Sequence, residues 1–144
     1  MYDYTFFHGN ALIHLIQDKR TYGVELLYGN HCYLINKKSA LYLKHCTKRI
    51  SPWQFTFLPE HLTEISRIET KYKCLFVALI CNDDGICCLN SHEISQLVLV
   101  GNFNLTKSIR VARLTHEKYT VTGSDGRLPY KIGNSDFPRK IFEE

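Results

Sequence analysis

The sequence predicts a single α+β domain built around one mixed sheet, and three observations carry that prediction. Apolar residues recur with helical period over residues 6–17 and 59–71, with short strand-length runs between and after them. Gly29-Asn30, residues 37–39 and Asn82-Asp83-Asp84-Gly85 separate strand-like runs at hairpin length. The chain has 144 residues, 44% apolar and 22% charged, which is ordinary globular usage and long enough for one buried core. No repeat, low-complexity tract or Pro/Gly/Ser linker divides it, so residues 1–144 are read as one domain.

Each element follows in chain order. Phe7, Leu12, Leu15 and Ile16 set the apolar face of a first helix. Residues 22–28, 32–36 and 40–46 form three strands, the third alternating Leu41 and Leu43 against Tyr42 and Lys44. Trp53, Phe55 and Phe57 alternate with Gln54 and Thr56, an extended segment placed at a sheet edge because Pro52 cannot donate to a ladder. Pro59 opens a second helix, with Glu60 and Glu64 near its start and Leu62, Ile65 and Ile68 on its inner face. Residues 75–80 are continuously apolar, as in a buried strand, and residues 86–89 pair back onto it. Ser91 is the expected cap of a short third helix, with Glu93 in its first turn. Residues 108–114, 118–122 and 128–132 read as a C-terminal hairpin appendage. The core is thus helix, three strands, helix, strand.

The N-terminus lacks the basic and apolar regions of a secretory signal, and the longest apolar run, residues 74–81, is far below the ~20 residues of a membrane span. A cytoplasmic protein with no membrane role is the expectation. Thiols stay reduced in that compartment, so the six cysteines are read as buried apolar residues. No Cys-x-x-Cys occurs, and adjacent Cys87 and Cys88 face opposite sides of a strand, so zinc is not expected.

The functional signal is charge distribution. Eighteen Lys and Arg stand against 14 Asp and Glu, a net charge of +4. Residues 26–59 hold no acid, yet contain Lys37, Lys38, Lys44, Lys48 and Arg49 among Tyr33, Tyr42, Trp53 and Phe55. A second acid-free stretch, residues 94–116, adds Lys107, Arg110 and Arg113. Cations on strands and turns beside aromatic rings suit phosphate contact and base stacking. The expected nucleic-acid surface is therefore Lys37, Lys38, Lys44, Lys48, Arg49, Trp53, Lys107, Arg110 and Arg113. DNA or RNA is the expected partner.

Two resemblances add to this reading. The strings HGNALIHLI (residues 8–16), YLIN (33–36), KHCTKRISPWQFTF (44–57) and GSDGRLPYKIG (123–133) resemble a family of small uncharacterised bacterial domains. That resemblance implies no activity. The element order is similar to the core of the PD-(D/E)XK nuclease superfamily, whose second strand supplies Asp and whose third supplies Glu-x-Lys. In that family the carboxylates hold Mg²⁺ and the lysine positions the attacking water. The resemblance places Lys44 at the lysine, Tyr42 where the Glu would stand and Asn36 nearest the Asp. Catalysis would then rest on Glu25, the acid of the first strand, as a metal ligand, and on Lys44. With two carboxylates missing, the expected function is nucleic-acid binding on a nuclease-like fold with a degenerate or absent metal site. The rival is a protein-interaction or regulatory module, favoured by nine Tyr and eight Phe.

Overall fold

A computed structural model describes residues 4–143. The elements are α1 (Tyr4–Gln17), β1 (Val24–Tyr28), β2 (Cys32–Ile35), β3 (Ser39–Cys46), β4 (Trp53–Phe57), α2 (Pro59–Lys71), β5 (Cys74–Cys81), β6 (Ile86–Asn90), α3 (Ser91–Val98), β7 (Lys107–Ala112) and β8 (Thr120–Gly123). A 3-10 helix, Arg139–Phe142, follows. The class is α+β.

The five-stranded sheet has the order β1-β2-β3-β5-β6. Its strands pair antiparallel except β3 and β5, which run parallel from Ser39↔Cys74 to Cys46↔Cys81. Parallel neighbours need a crossover, and α2 lies in this one. Every residue of β5 is buried. Its unbroken apolar run follows from cover on both faces of the sheet.

One face packs against α1 and the 3-10 helix through Phe7, Ala11, Leu15, Leu41, Leu43, Phe76 and Ile141. The other packs Leu75, Val77 and Leu79 against α2, α3 and a second sheet, ordered β4-β7-β8. Trp53 and Phe55 on β4, Ile109 and Val111 on β7 and Val121 on β8 supply that sheet's buried side. The C-terminal hairpin is thereby tied into the body of the domain, because β7 pairs with β4 from Trp53↔Val111 to Phe57↔Lys107. Residues 128–132 form no strand; Tyr119↔Ile132 and Thr122↔Arg127 are isolated bridges.

Two local expectations change. The buried residues of α1 are Phe7, His8, Ala11 and Leu15, while Ile16 is 66% exposed. That helix is apolar on several sides, so periodicity does not single out its inner face. The cap of α3 is Asn90, not Ser91. Asn90 Oδ1 accepts the Glu93 N–H at 2.9 Å and Glu93 Oε1 accepts the Asn90 N–H at 2.9 Å, a capping box. Ser91 instead donates its hydroxyl to Glu69 on α2.

Cys87 and Cys88 lie in different core clusters on opposite faces of the sheet, and all six cysteines are free. Among the described residues, no helix is long and apolar enough to cross a membrane.

Candidate nucleic-acid interface

β3 outruns β2. The last paired residues are Cys32↔Tyr42, and Leu43 donates its N–H to His31 O just beyond them. Lys44, His45 and Cys46 therefore continue past the β1–β2 turn on that side. A cleft of about 540 Å³ opens there, bounded by α1, the β1–β2 turn, β4 and the start of α2.

Strand alternation splits the end of β3 between its two faces. Lys44 points with Tyr42 toward β4 and α2, where its ammonium donates to Thr56 O at 2.6 Å and sits 4.7 Å from the centre of the Phe57 ring. His45 points toward α1 and stacks on Phe7, with ring centres 4.8 Å apart.

Four histidines line this cleft. His8, from α1, pairs its Nδ1 with Asn30 O at 3.0 Å, and its ring lies edge-on to His45 at 5.5 Å. A carbonyl only accepts, so the neutral ring carries its proton on Nδ1 and leaves Nε2 as an acceptor. His31, from the β1–β2 turn, donates Nε2–H to Glu64 of α2 at 2.7 Å and packs against Tyr42. His61 is the third residue of α2. Its Nδ1 accepts the N–H of Leu58 at 3.1 Å, an N-terminal cap that Leu58 cannot itself supply.

Burial pulls His8, His45 and His61 below the usual imidazole range, and the Lys44 charge adds to the effect on His45 and His61. Burial also pulls Lys44 down to about 8. No Asp or Glu lines the cleft, and among the described residues Lys44 forms no ion pair. Lys44 is the one formal charge on the cleft wall.

The structure divides the remaining expected residues. Lys37 and Lys38 are exposed at the β2–β3 turn, where Asn36 and Lys37 both have positive φ, as in a type I′ hairpin. The eight residues of β3 separate that turn from Lys48 and Arg49 by about 26 Å. The basic block is thus two sites at opposite ends of one strand. Lys48 and Arg49 are exposed directly after Thr47, a wall residue of the cleft. Arg110 is exposed on β7 opposite Gln54, another wall residue. Directly opposed residues stand about 5 Å apart at Cβ, so Arg110 borders the rim.

Three expectations are corrected. Trp53 is no stacking platform: it is 2% exposed, and its indole N–H donates to Lys48 O at 2.8 Å. Lys107 is 8% exposed and is spent on Asp125 at 2.7 Å and Val100 O at 2.8 Å. Arg113 is held by both oxygens of Asp84, at 2.6 and 3.0 Å. The acidic partners of Lys107 and Arg113 lie 18 and 29 residues away along the chain, beyond the reach of a local reading.

Glu25 and Lys44 do not meet. Glu25 is opposite Leu34, itself opposite Ala40, four residues before Lys44. Strand geometry sets the two about 16 Å apart. Asn36 is a brace, its Oδ1 accepting from the Tyr22 and Gly23 N–H groups and its Nδ2 donating to Arg20 O. One exposed carboxylate so placed does not fit Mg²⁺, which needs oxygen ligands converging on one point. Among the described residues, no three His, Cys, Asp or Glu side chains group as metal ligands.

Sequence reasoning passed over His8 as a site residue, and missed His61, Glu64 and the Thr56 carbonyl. Fold and cleft together define an α+β protein with a cationic cleft, free of carboxylates on its wall, at the end of the middle strand of its larger sheet. Comparison of the chain with protein-family models, with curated proteins and with solved structures returns no match.

Proposed function

We propose that this protein binds nucleic acid through the cleft end of its basic block, using Lys44, Lys48, Arg49 and Arg110, without metal-dependent cleavage. The observation that carries this reading is Lys44, a half-buried cation facing a cleft whose wall holds no carboxylate. Partial removal of a charge from water favours a partner of opposite sign. Among the described residues Lys44 has only neutral acceptors, Thr56 O and His61 Nδ1. An anionic ligand supplies the missing partner. The exposed cations beyond the rim extend that preference to a ligand with several phosphates. The helix–strand order and the parallel β3–β5 pair, bridged through α2, support the nuclease-like comparison only at the level of architecture.

The test is binding of fluorescent single-stranded and duplex DNA and RNA across a salt series. Phosphate contacts release counterions, so log K is expected to fall linearly with log salt, and Lys48→Ser with Arg49→Ser is expected to flatten the slope by about 2. Lys37→Ser with Lys38→Ser, at the far end of β3, serves as the comparison. Absence of binding at low salt overturns the reading.

A second reading has one observation in its favour. Ile13 and Ile16, on the outer side of α1, are 55% and 66% exposed, as an interaction helix would present them. A protein partner docked there is the alternative, and Ile13→Ser with Ile16→Ser would abolish its binding while leaving nucleic-acid affinity intact.

A further inference from the structure

We propose that the cleft seats the terminal phosphate of a single nucleic-acid strand, held by Lys44 and the His61 imidazole, while Lys48, Arg49 and Arg110 meet the phosphates that follow. This rests on the nucleic-acid reading above and names the ligand class that fits the cleft.

Size is the first argument. An open cleft of about 540 Å³ has the volume of one small ligand. It takes roughly a single nucleotide, whereas double helices are read by elements that protrude into their grooves. Here the chemistry is recessed. Lys44 lies on a strand beneath Thr56 and the start of α2.

Charge and hydrogen bonding give the second argument. A terminal phosphate carries about −1.5 to −2 at neutral pH and offers three oxygens, against one charge on an internal diester. The ammonium of Lys44 has three donors, of which two have acceptors in Thr56 O and His61 Nδ1. The third remains for a ligand. His61, with Nδ1 already accepting, carries its proton on Nε2 and adds a neutral donor. His8, whose Nδ1–H is committed to Asn30 O, has Nε2 left as an acceptor. An entering dianion favours protonation there and turns that acceptor into a charged donor. Glu64 is engaged by His31 and, like Glu60, does not line the cleft, although the charges of both reach the His61 ring. Dianions gain most where one unpaired cation and neutral donors converge.

The rim supplies the strand. Lys48 and Arg49 follow wall residue Thr47, and Arg110 stands opposite wall residue Gln54. All three are exposed, and among the described residues none forms an ion pair. A free mononucleotide has no phosphates for these groups to meet.

The experiment measures affinity of the full chain for one oligonucleotide sequence in four forms: 5′-phosphorylated, 3′-phosphorylated, hydroxyl-ended and covalently circular. Adenosine monophosphate and inorganic phosphate serve as competitors. One phosphorylated end is expected to bind at least about tenfold tighter than the hydroxyl-ended and circular forms. The two phosphorylated arms identify which end enters. Lys44→Met is expected to abolish that preference, and Lys44→Arg, which keeps the charge, to retain part of it. Thermal melting of both variants confirms that they are folded.

Equal affinity for all four forms overturns the strand-end assignment while leaving nucleic-acid binding intact. Absence of binding by every form at low salt overturns both. Adenosine monophosphate competing as strongly as the phosphorylated oligonucleotide overturns the strand-end assignment in favour of a free mononucleotide.

Discussion

Nζ of Lys44 lies 3.4 Å from Nδ1 of His61, the same nitrogen that accepts the Leu58 backbone N–H at 3.1 Å. An accepting nitrogen carries no proton, so the hydrogen-bond network assigns His61 as a neutral imidazole protonated on Nε2. One ring atom thereby links the start of α2 to the cation of the cleft. Protonating that atom would break the cap and set two positive charges side by side.

Stability is expected to fall as pH drops below about 6.5. His8, His45 and His61 are all held below their ordinary value of 6.5, chiefly by burial. Between those lowered values and 6.5 the unfolded chain binds more protons, so stability rises with pH across that window and declines on acidification. Urea midpoints at pH 7.5 and 5.5 check this. His61→Gln should shrink the difference between them, and an unchanged difference would remove His61 from the account.

Lys44→Met is expected to raise stability at pH 7 by about 1 kcal/mol. Burial lowers Lys44 from 10.5 to about 8, an upper bound of about 3 kcal/mol against the charged form. The lost bonds to Thr56 O and His61 offset part of this, at about 1 kcal/mol each. The unfolded lysine holds its proton between pH 8 and 10.5 where the folded one has released it, so this group makes wild-type stability rise across that window. The variant should lack that rise in denaturant titrations at pH 7, 8 and 9.

Asp84→Asn is expected to destabilise by about 2 kcal/mol, because it strips a charge-assisted pair from Arg113 and weakens the acceptor of the Tyr119 hydroxyl. The Arg113 bond to Asp84 holds that carboxyl below the usual range. Its contribution is therefore present above about pH 3.8 and lost as pH falls through the lowered value. The wild-type and variant melting curves should converge in acid.

Gly123→Ala is expected to cost about 1–3 kcal/mol. A Cβ at Gly123, the last residue of β8, would run into the carbonyl oxygen of Leu97 on α3. Ala at Gly9, where nothing lies within 4 Å, should be tolerated and provides the control for the thermal melts.

Trp53→Phe keeps an aromatic ring in the core and removes the donor that fixes Lys48 O. Stability should fall by about 1–2 kcal/mol. Oligonucleotide affinity should fall severalfold at an unchanged salt slope, since the cations remain but their loop is less ordered. Unaltered affinity would show that Trp53 has no part in positioning the rim.

Much of the fold was legible because the signals are local. Gly29-Asn30 marks its turn whatever packs around it, and the unbroken apolar run of β5 announces cover on both faces. The inner face of α1 was not legible, since Ile13 and Ile16 are as apolar as the residues that bury. Nor was membership of β4 in a second sheet, because Trp53, Phe55 and Phe57 alternate the same way in any sheet.

The site divides along the same line. By itself the sequence determined that acids are excluded from residues 26–59 and that Lys44 stands on an alternating strand. Only the tertiary structure decided which cations are free. It spent Lys107 on Asp125 and Arg113 on Asp84, buried Trp53 and left Lys48, Arg49 and Arg110 at the rim. It also brought His8, His31, His45 and His61 from four separate segments to one cleft. The physical reason is range. Backbone preference and periodicity act over a few neighbouring residues, whereas a charge is neutralised, or left for a ligand, by whatever the fold sets within a few ångströms of it.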